Sequence, residues 1–160
     1  MMVRKYGLLI LILLAFMAVL FAVIKKDNLN ELISQGMKKQ TTAEEKFNAE
    51  NYVRDHFDYE NNRQDFDYSI LEFKSTGCTI CKQMEPELEE MKHWDNERVN
   101  VVVIQIMNPD SQEMMKYFGI SAVPTQLILD KNGNEFFRKY GFIAASELKS
   151  QILNNQQNKS

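Results

Sequence analysis

The chain of 160 residues is 44% hydrophobic and 26% charged, the balance of a globular protein with one core and an appendage. Its formal charge of -3 is unevenly placed, because four of the 19 basic residues precede Asp27 while all 22 acidic residues lie from Asp27 onward. The acidic body argues against a nucleic acid partner, which wants a basic face, and two cysteines are too few for the disulfide framework of a small secreted domain.

Residues 1–5 form a short N-terminal tail carrying Arg4 and Lys5. Residues 6–24, "YGLLILILLAFMAVLFAVI", hold no charge. At about 1.5 Å per helical residue they span roughly 28 Å, enough for a transmembrane anchor. A cleaved signal peptide is the competing reading, but its apolar run is normally shorter and ends in an A-x-A-like site. Ala18 and Ala22 lack that spacing, and Lys25 and Lys26 follow directly. Basic residues flank both ends, so charge alone does not orient the segment. Long domains translocate largely regardless of their charge, and the expected arrangement is a single-pass membrane protein with its globular part outside the cytosol.

Residues 25–45 read as a linker or tether helix. "LNELISQGMKK" has an apolar helical phase at Leu29, Leu32 and Ile33, while its polarity is equally compatible with a disordered stalk. The globular domain is expected over 46–160. "TAEEKFNAENYVRDHF" predicts a helix that docks on it through Phe47, Tyr52, Val53 and Phe57.

From residue 68 strands and helices alternate. "YSILEFK" and "VNVVVIQI" have the length and β-branched content of buried strands. Between them residues 79–95 predict a helix with apolar positions at Ile80, Met84, Leu88 and Met91. A strand, helix, strand unit makes the two strands parallel. "DSQEMMKYF" predicts a further helix. "TQLILD" and "EFFRKYG" form a hairpin around an Asn-Gly turn, and "AASELKSQILNN" is the last helix.

This order places Cys78 where strand gives way to helix, so unpaired N–H groups and the positive end of the helix dipole favour its thiolate. Cys81 lies one turn deeper on the same side, within bridging distance and more shielded. The pair has the geometry of an exposed attacking sulfur and a buried resolving one. A zinc site would need two further ligands, and His56 and His93, the only histidines, lack the usual close grouping. Inert buried thiols are the other bland reading, against which the helix N-terminus speaks.

Over residues 68–153 the sequence resembles the thioredoxin family. "CTICK" stands at the family's C-x-x-C-K, and Pro86 stands where the family has a proline within the active-site helix. "AVPT" matches its hydrophobic-Pro-Thr, and "DKNGNEFFRKYGFIAASEL" its hairpin, glycine and final helix. The resemblance implies a thioredoxin-like α/β fold, a central mixed sheet flanked by helices, here with an N-terminal transmembrane helix. It implies a redox-active Cys78–Cys81 pair, a cis peptide at Pro124, and client contacts from Gly77, Val123 and Pro124. It also implies that Glu72, on the strand before the cysteines, is the buried acid that handles the proton of Cys81. Strand alternation groups Glu72 with Ile70 and Lys74, which by itself does not establish burial.

Gly77, Thr79 and Ile80 replace thioredoxin's Trp and Gly-Pro, so its redox poise does not carry over. The interval of about 42 residues from Cys81 to Pro124 leaves no room for the insertions of the cytochrome-maturation or DsbA-like relatives. The nearest likeness is to membrane-tethered bacterial thioredoxin-like proteins.

The expected function is a membrane-anchored thiol-disulfide oxidoreductase. It would act on protein disulfide or dithiol clients as a reductase fed by a transmembrane thiol electron carrier, with no metal and no small-molecule cofactor. A disulfide-forming oxidase or isomerase shares every residue and differs in poise. A tethered, non-catalytic binding module is the reading from another class. Lys82, His93 and Trp94 read as surface or packing residues, and Met84, Met91, Met107, Met114 and Met115 as core filler.

Overall fold

The computed structural model describes residues 3–158; the ends of the expected N-terminal tail and of the domain, residues 1–2 and 159–160, lie outside them. Helix α1 (Val3–Ile24) is followed after Lys25 by α2 (Lys26–Gln40), then α3 (Ala43–Phe57) and the short α4 (Tyr59–Asn62). Strand β1 (Tyr68–Lys74), helix α5 (Thr79–Lys92) and strand β2 (Val99–Gln105) follow. A single 3-10 turn (Pro109–Ser111) leads into α6 (Gln112–Phe118). Strands β3 (Thr125–Asp130) and β4 (Glu135–Tyr140) and helix α7 (Ala145–Gln157) complete the chain.

The strands form one mixed sheet in the order β2-β1-β3-β4. β1 runs parallel to β2 and antiparallel to β3, which pairs antiparallel with β4. The parallel pair follows from the crossover through α5, which a tight turn could not replace. The hairpin turn is held by Asp130, whose carboxylate accepts the N–H groups of Asn132 and Asn134 at 3.0 Å each.

Both faces of β1 are buried, so its side chains divide between two cores. Leu71 and Phe73 join Ala49, Val53 and Phe57 of α3 and Met114 and Phe118 of α6. Ile70 on the opposite face joins Met84, Leu88 and Met91 of α5 and Leu148 and Ile152 of α7. Glu87 of α5 ties the second layer together by accepting the N–H of Ala145 at 2.7 Å at the start of α7.

Several apolar positions differ from the sequence expectation. Ile80 is exposed because Cys81 takes the inward position in the first turn of α5. Phe47 and Tyr52 are also exposed, and α3 docks instead through Ala49, Val53 and Phe57. Met107 is 74% exposed beyond the end of β2 and fills no core. α5 stops at Lys92, with His93 as its C-cap, rather than running to residue 95.

The segment read as a tether or a stalk is a helix, and it is packed against the domain. It docks with its polar face: Ser34 is fully buried, and Arg138 of β4 donates to its hydroxyl at 2.8 Å. Gly119, at φ +63°, closes α6 under it, where a side chain would collide with the carbonyl and hydroxyl of Ser34. Leu29, Leu32 and Ile33, the apolar phase seen in the sequence, face outward.

The backbone of α1 is helical over 22 residues, and Leu9–Leu14, Phe16, Met17 and Val19 are exposed along it. Its other side chains, apart from those of Gly7, Ala15 and Ala18, are not described. Among the described residues no helix is long and apolar enough to cross a membrane.

Candidate active site

The site is assembled at one end of the sheet. β1 ends at Lys74, and the chain turns through Gly77, whose φ of +78° lies in the left-handed region that favours glycine. Open space surrounds the position of its absent side chain, so backbone conformation rather than crowding calls for glycine there. Cys78 follows as the N-cap of α5, its Sγ accepting the N–H of Cys81 at 3.1 Å. A sulfur held against the unpaired N–H groups of a first helical turn is stabilised as an anion. Cys78 is half-buried and Cys81 is 1% exposed. The two are joined as a disulfide, with Cα atoms 5.2 Å apart.

β3 begins beside the end of β1, with Thr125 opposite Phe73. Pro124, immediately before it, therefore lies at the same end of the sheet as the cysteines. The Val123–Pro124 bond is cis. The loop is tied down on both sides: the Thr125 hydroxyl donates to the carbonyl of Ala122 at 2.7 Å, and the N–H of Gly141 donates to the carbonyl of Pro124 at 2.8 Å.

Glu72 is fully buried in the inner strand β1, on the face covered by α5, and neither carboxylate oxygen has a hydrogen-bond partner. Burial without compensating donors disfavours the charged form. Desolvation pushes its pKa up to about 7, against the pull of the Lys74 ammonium and with a smaller push from the Glu85 carboxylate. Those two charges pair with each other, Lys74 Nζ to Glu85 Oε1 at 3.0 Å, joining the end of β1 to the second turn of α5. A carboxyl in this position can take or give a proton near neutral pH.

Beside Glu72 lies a buried polar residue that the sequence reading did not single out. Gln126 stands directly opposite Glu72 in the β1–β3 ladder and is fully buried. With its amide nitrogen assigned to the side that faces two carbonyls, it donates to Lys139 at 3.2 Å and Gly141 at 2.9 Å. The available signal was an amide in the otherwise apolar run "TQLIL". His56 stacks on Tyr52 and His93 pairs with Glu89 at 3.0 Å. Among the described residues no group of His, Cys, Asp and Glu could hold a metal ion.

A family model described as a thioredoxin-like domain matches residues 58–156. Among curated proteins, the chain is 28% identical over 67 residues to the chloroplastic thioredoxin-like protein HCF164 of Oryza sativa subsp. japonica. That alignment takes in 42% of this chain and 26% of the relative. Thioredoxin of Alicyclobacillus acidocaldarius subsp. acidocaldarius is 29% identical over 83 residues, 52% of this chain and 76% of that protein. Among solved structures, thioredoxin NaTrxh of Nicotiana alata superposes with a TM-score of 0.50 at 30% identity, covering 65% of this chain and 84% of that one. The chain thus spans about a quarter of the length of the first curated relatives it matches.

Proposed function

This chain belongs to the thioredoxin-like family, and from that premise we propose that it is a membrane-anchored thiol-disulfide oxidoreductase working through Cys78 and Cys81. The observation that carries the reading is the placement of the two sulfurs, one half-exposed at the N-cap of α5 and the other buried one turn below it.

In the reductive direction the Cys78 thiolate attacks one sulfur of a client disulfide. That bond breaks, a mixed disulfide forms at Cys78, and the first client sulfur leaves as a thiolate that takes a proton from solvent. Cys81 then loses its proton to the ionised Glu72 carboxylate and attacks the Cys78 sulfur. The second client thiolate departs, and the Cys78–Cys81 disulfide forms. Two electrons have passed to the client, and a dithiol donor must return them. Gly77, Val123 and Pro124 are the client contacts that the family resemblance implies, and the backbone of the partly buried Val123, before the cis bond, would pair with an extended client segment in the manner of an added strand.

The anchor is α1. Its run of exposed aliphatic side chains supports a position in lipid, with the domain on the extracytoplasmic side of a bacterial cell membrane and a transmembrane thiol carrier as electron donor. The decisive experiment equilibrates the full chain in detergent with defined thiol buffers and then assays reduction of a protein disulfide. A potential near about -270 mV with turnover supports the reductase, one near about -120 mV makes the protein an oxidant, and absence of exchange leaves a binding module.

A further inference from the structure

Helix α2 is amphipathic in the reverse of the usual sense. Its inward face is polar: the Ser121 hydroxyl donates to the Asn30 carbonyl at 3.0 Å, and the Tyr140 hydroxyl to Glu31 at 3.3 Å. Arg138 donates to Ser34 at 2.8 Å, and Lys38 pairs with Glu135 at 3.7 Å. Each helical residue advances about 100° around the axis, so Leu29, Leu32, Ile33 and Gly36 fall on the side roughly opposite Ser34 and Lys38. Leu29 is 57% exposed, Leu32 67% and Ile33 47%.

A helix whose polar groups are satisfied by protein and whose large aliphatic side chains point away from it is matched to an apolar outer medium. Two features identify that medium. The stripe starts only five residues after Ile24, the end of the apolar helix α1, in the same chain. Basic residues accompany it in the sequence, Lys25 and Lys26 just before it and Lys39 two turns beyond Leu32 on the same side of the helix. Lysines flanking an apolar stripe can lie along the hydrocarbon boundary while their ammonium groups reach anionic headgroups.

We infer that α2 lies in the interface of an anionic lipid bilayer, with Leu29, Leu32 and Ile33 among the acyl chains and its polar face carrying the redox domain. The inference rests on the anchor reading, since α1 must occupy the same bilayer. Its consequence is positional. Asn30 holds Ser121, three residues before Pro124, so the loop bordering the dithiol is braced against a helix lying on the membrane. The site therefore takes disulfides presented close to the lipid surface.

The test uses the full chain in nanodiscs of phosphatidylcholine and phosphatidylglycerol, with and without bromine, placed in one set on the acyl chains near the headgroup and in another near the bilayer centre. Tryptophan is introduced singly as Leu32→Trp, Leu13→Trp or Glu44→Trp, all at exposed positions, and the emission of native Trp94 in the unsubstituted chain is subtracted. Expected are a blue-shifted, bromine-quenched emission at positions 32 and 13 and an unquenched one at 44. Quenching at 13 but not at 32 would overturn the interfacial helix while leaving the anchor intact, and the stripe would then belong to a protein partner or a second copy. Quenching at neither position would overturn the anchor and the inference together. Quenching at all three would also overturn it, because the domain would then be sinking into lipid without regard to the stripe.

Discussion

Glu72 and Gln126 stand opposite each other across β1 and β3, both fully buried, yet Gln126 spends its amide on the backbone of Lys139 and Gly141 and Glu72 has no hydrogen-bond partner. The carboxyl is therefore easier to keep neutral than charged, with a pKa of about 7 against the ordinary 4.5. The unfolded chain loses this proton near 4.5 and the folded chain near 7, so between those values the folded state binds more protons. Stability accordingly falls as pH rises through that window and levels off above it, by about 3 kcal/mol in total. Glu72→Gln removes this contribution. Urea unfolding of the disulfide form at pH 5 and pH 8 should show the variant gaining on the parent at the higher pH; a difference that does not change with pH would mean that the carboxyl titrates normally.

The asymmetry of the two sulfurs gives the cysteine variants different phenotypes. Cys78→Ser removes the half-exposed attacking sulfur and should abolish exchange. Cys81→Ser retains the attack and loses the resolving step, so it should accumulate mixed disulfides with protein clients, seen as thiol-reversible bands on non-reducing gels. If Cys81→Ser turns over at the parental rate, the two-sulfur cycle is wrong.

Much of this site was legible because its signals are local. The period of the strands, the helix opening at Cys78 and the Asn-Gly hairpin each rest on a few neighbouring residues. Burial of Glu72 was implied by the family resemblance and was not legible from alternation, because β1 is covered on both faces and a strand without an exposed side has no alternation to read. Helix α2 misled in a different way. Leu29, Leu32 and Ile33 marked it as a tether helix or a stalk with no docking face in view, because docking is done by a serine, a carbonyl and a glycine on the neighbouring helix, which leave no hydrophobic trace. Ile80 misled more simply: the buried phase of α5 runs Cys81, Met84, Leu88 and Met91, and a count that starts the apolar face at Ile80 begins one residue too early.

The attachment of α2 depends on a small number of polar contacts and one close approach. Arg138 pairs with Glu135 through two bonds of 2.7 and 2.8 Å, and also donates to the Phe118 carbonyl at 2.6 Å and to Ser34. Arg138→Met strands the Phe118 carbonyl and the Ser34 hydroxyl and leaves Glu135 with Lys38 alone, at a cost of about 3 kcal/mol. Gly119→Ala places a side chain against Ser34 at a left-handed backbone position, which costs about 2 kcal/mol from the conformation alone. Amide hydrogen exchange should rise over Lys26–Gln40 in both variants before it rises in β1; protection of α2 that survived both changes would show that other contacts hold it.

The Lys74–Glu85 pair offers a way to move the Glu72 proton without touching Glu72. The two side chains act on it with opposite sign, Lys74 favouring the carboxylate and Glu85 opposing it. Lys74→Met withdraws the attraction and should raise the pKa of Glu72 further. Glu85→Gln withdraws the repulsion and also leaves the Lys74 ammonium unneutralised, so it should lower that pKa. A carbon-13 titration of the Glu72 carboxyl would read both shifts directly. The pH profile of client reduction should move with them, to higher pH in Lys74→Met and to lower pH in Glu85→Gln, because Cys81 needs an ionised Glu72 to accept its proton. Movement of the carboxyl titration without movement of the rate profile would remove Glu72 from the proton path and leave its burial as a feature of the fold. Movement of both together would tie the ion pair on α5 to the redox step through a residue that neither partner hydrogen-bonds.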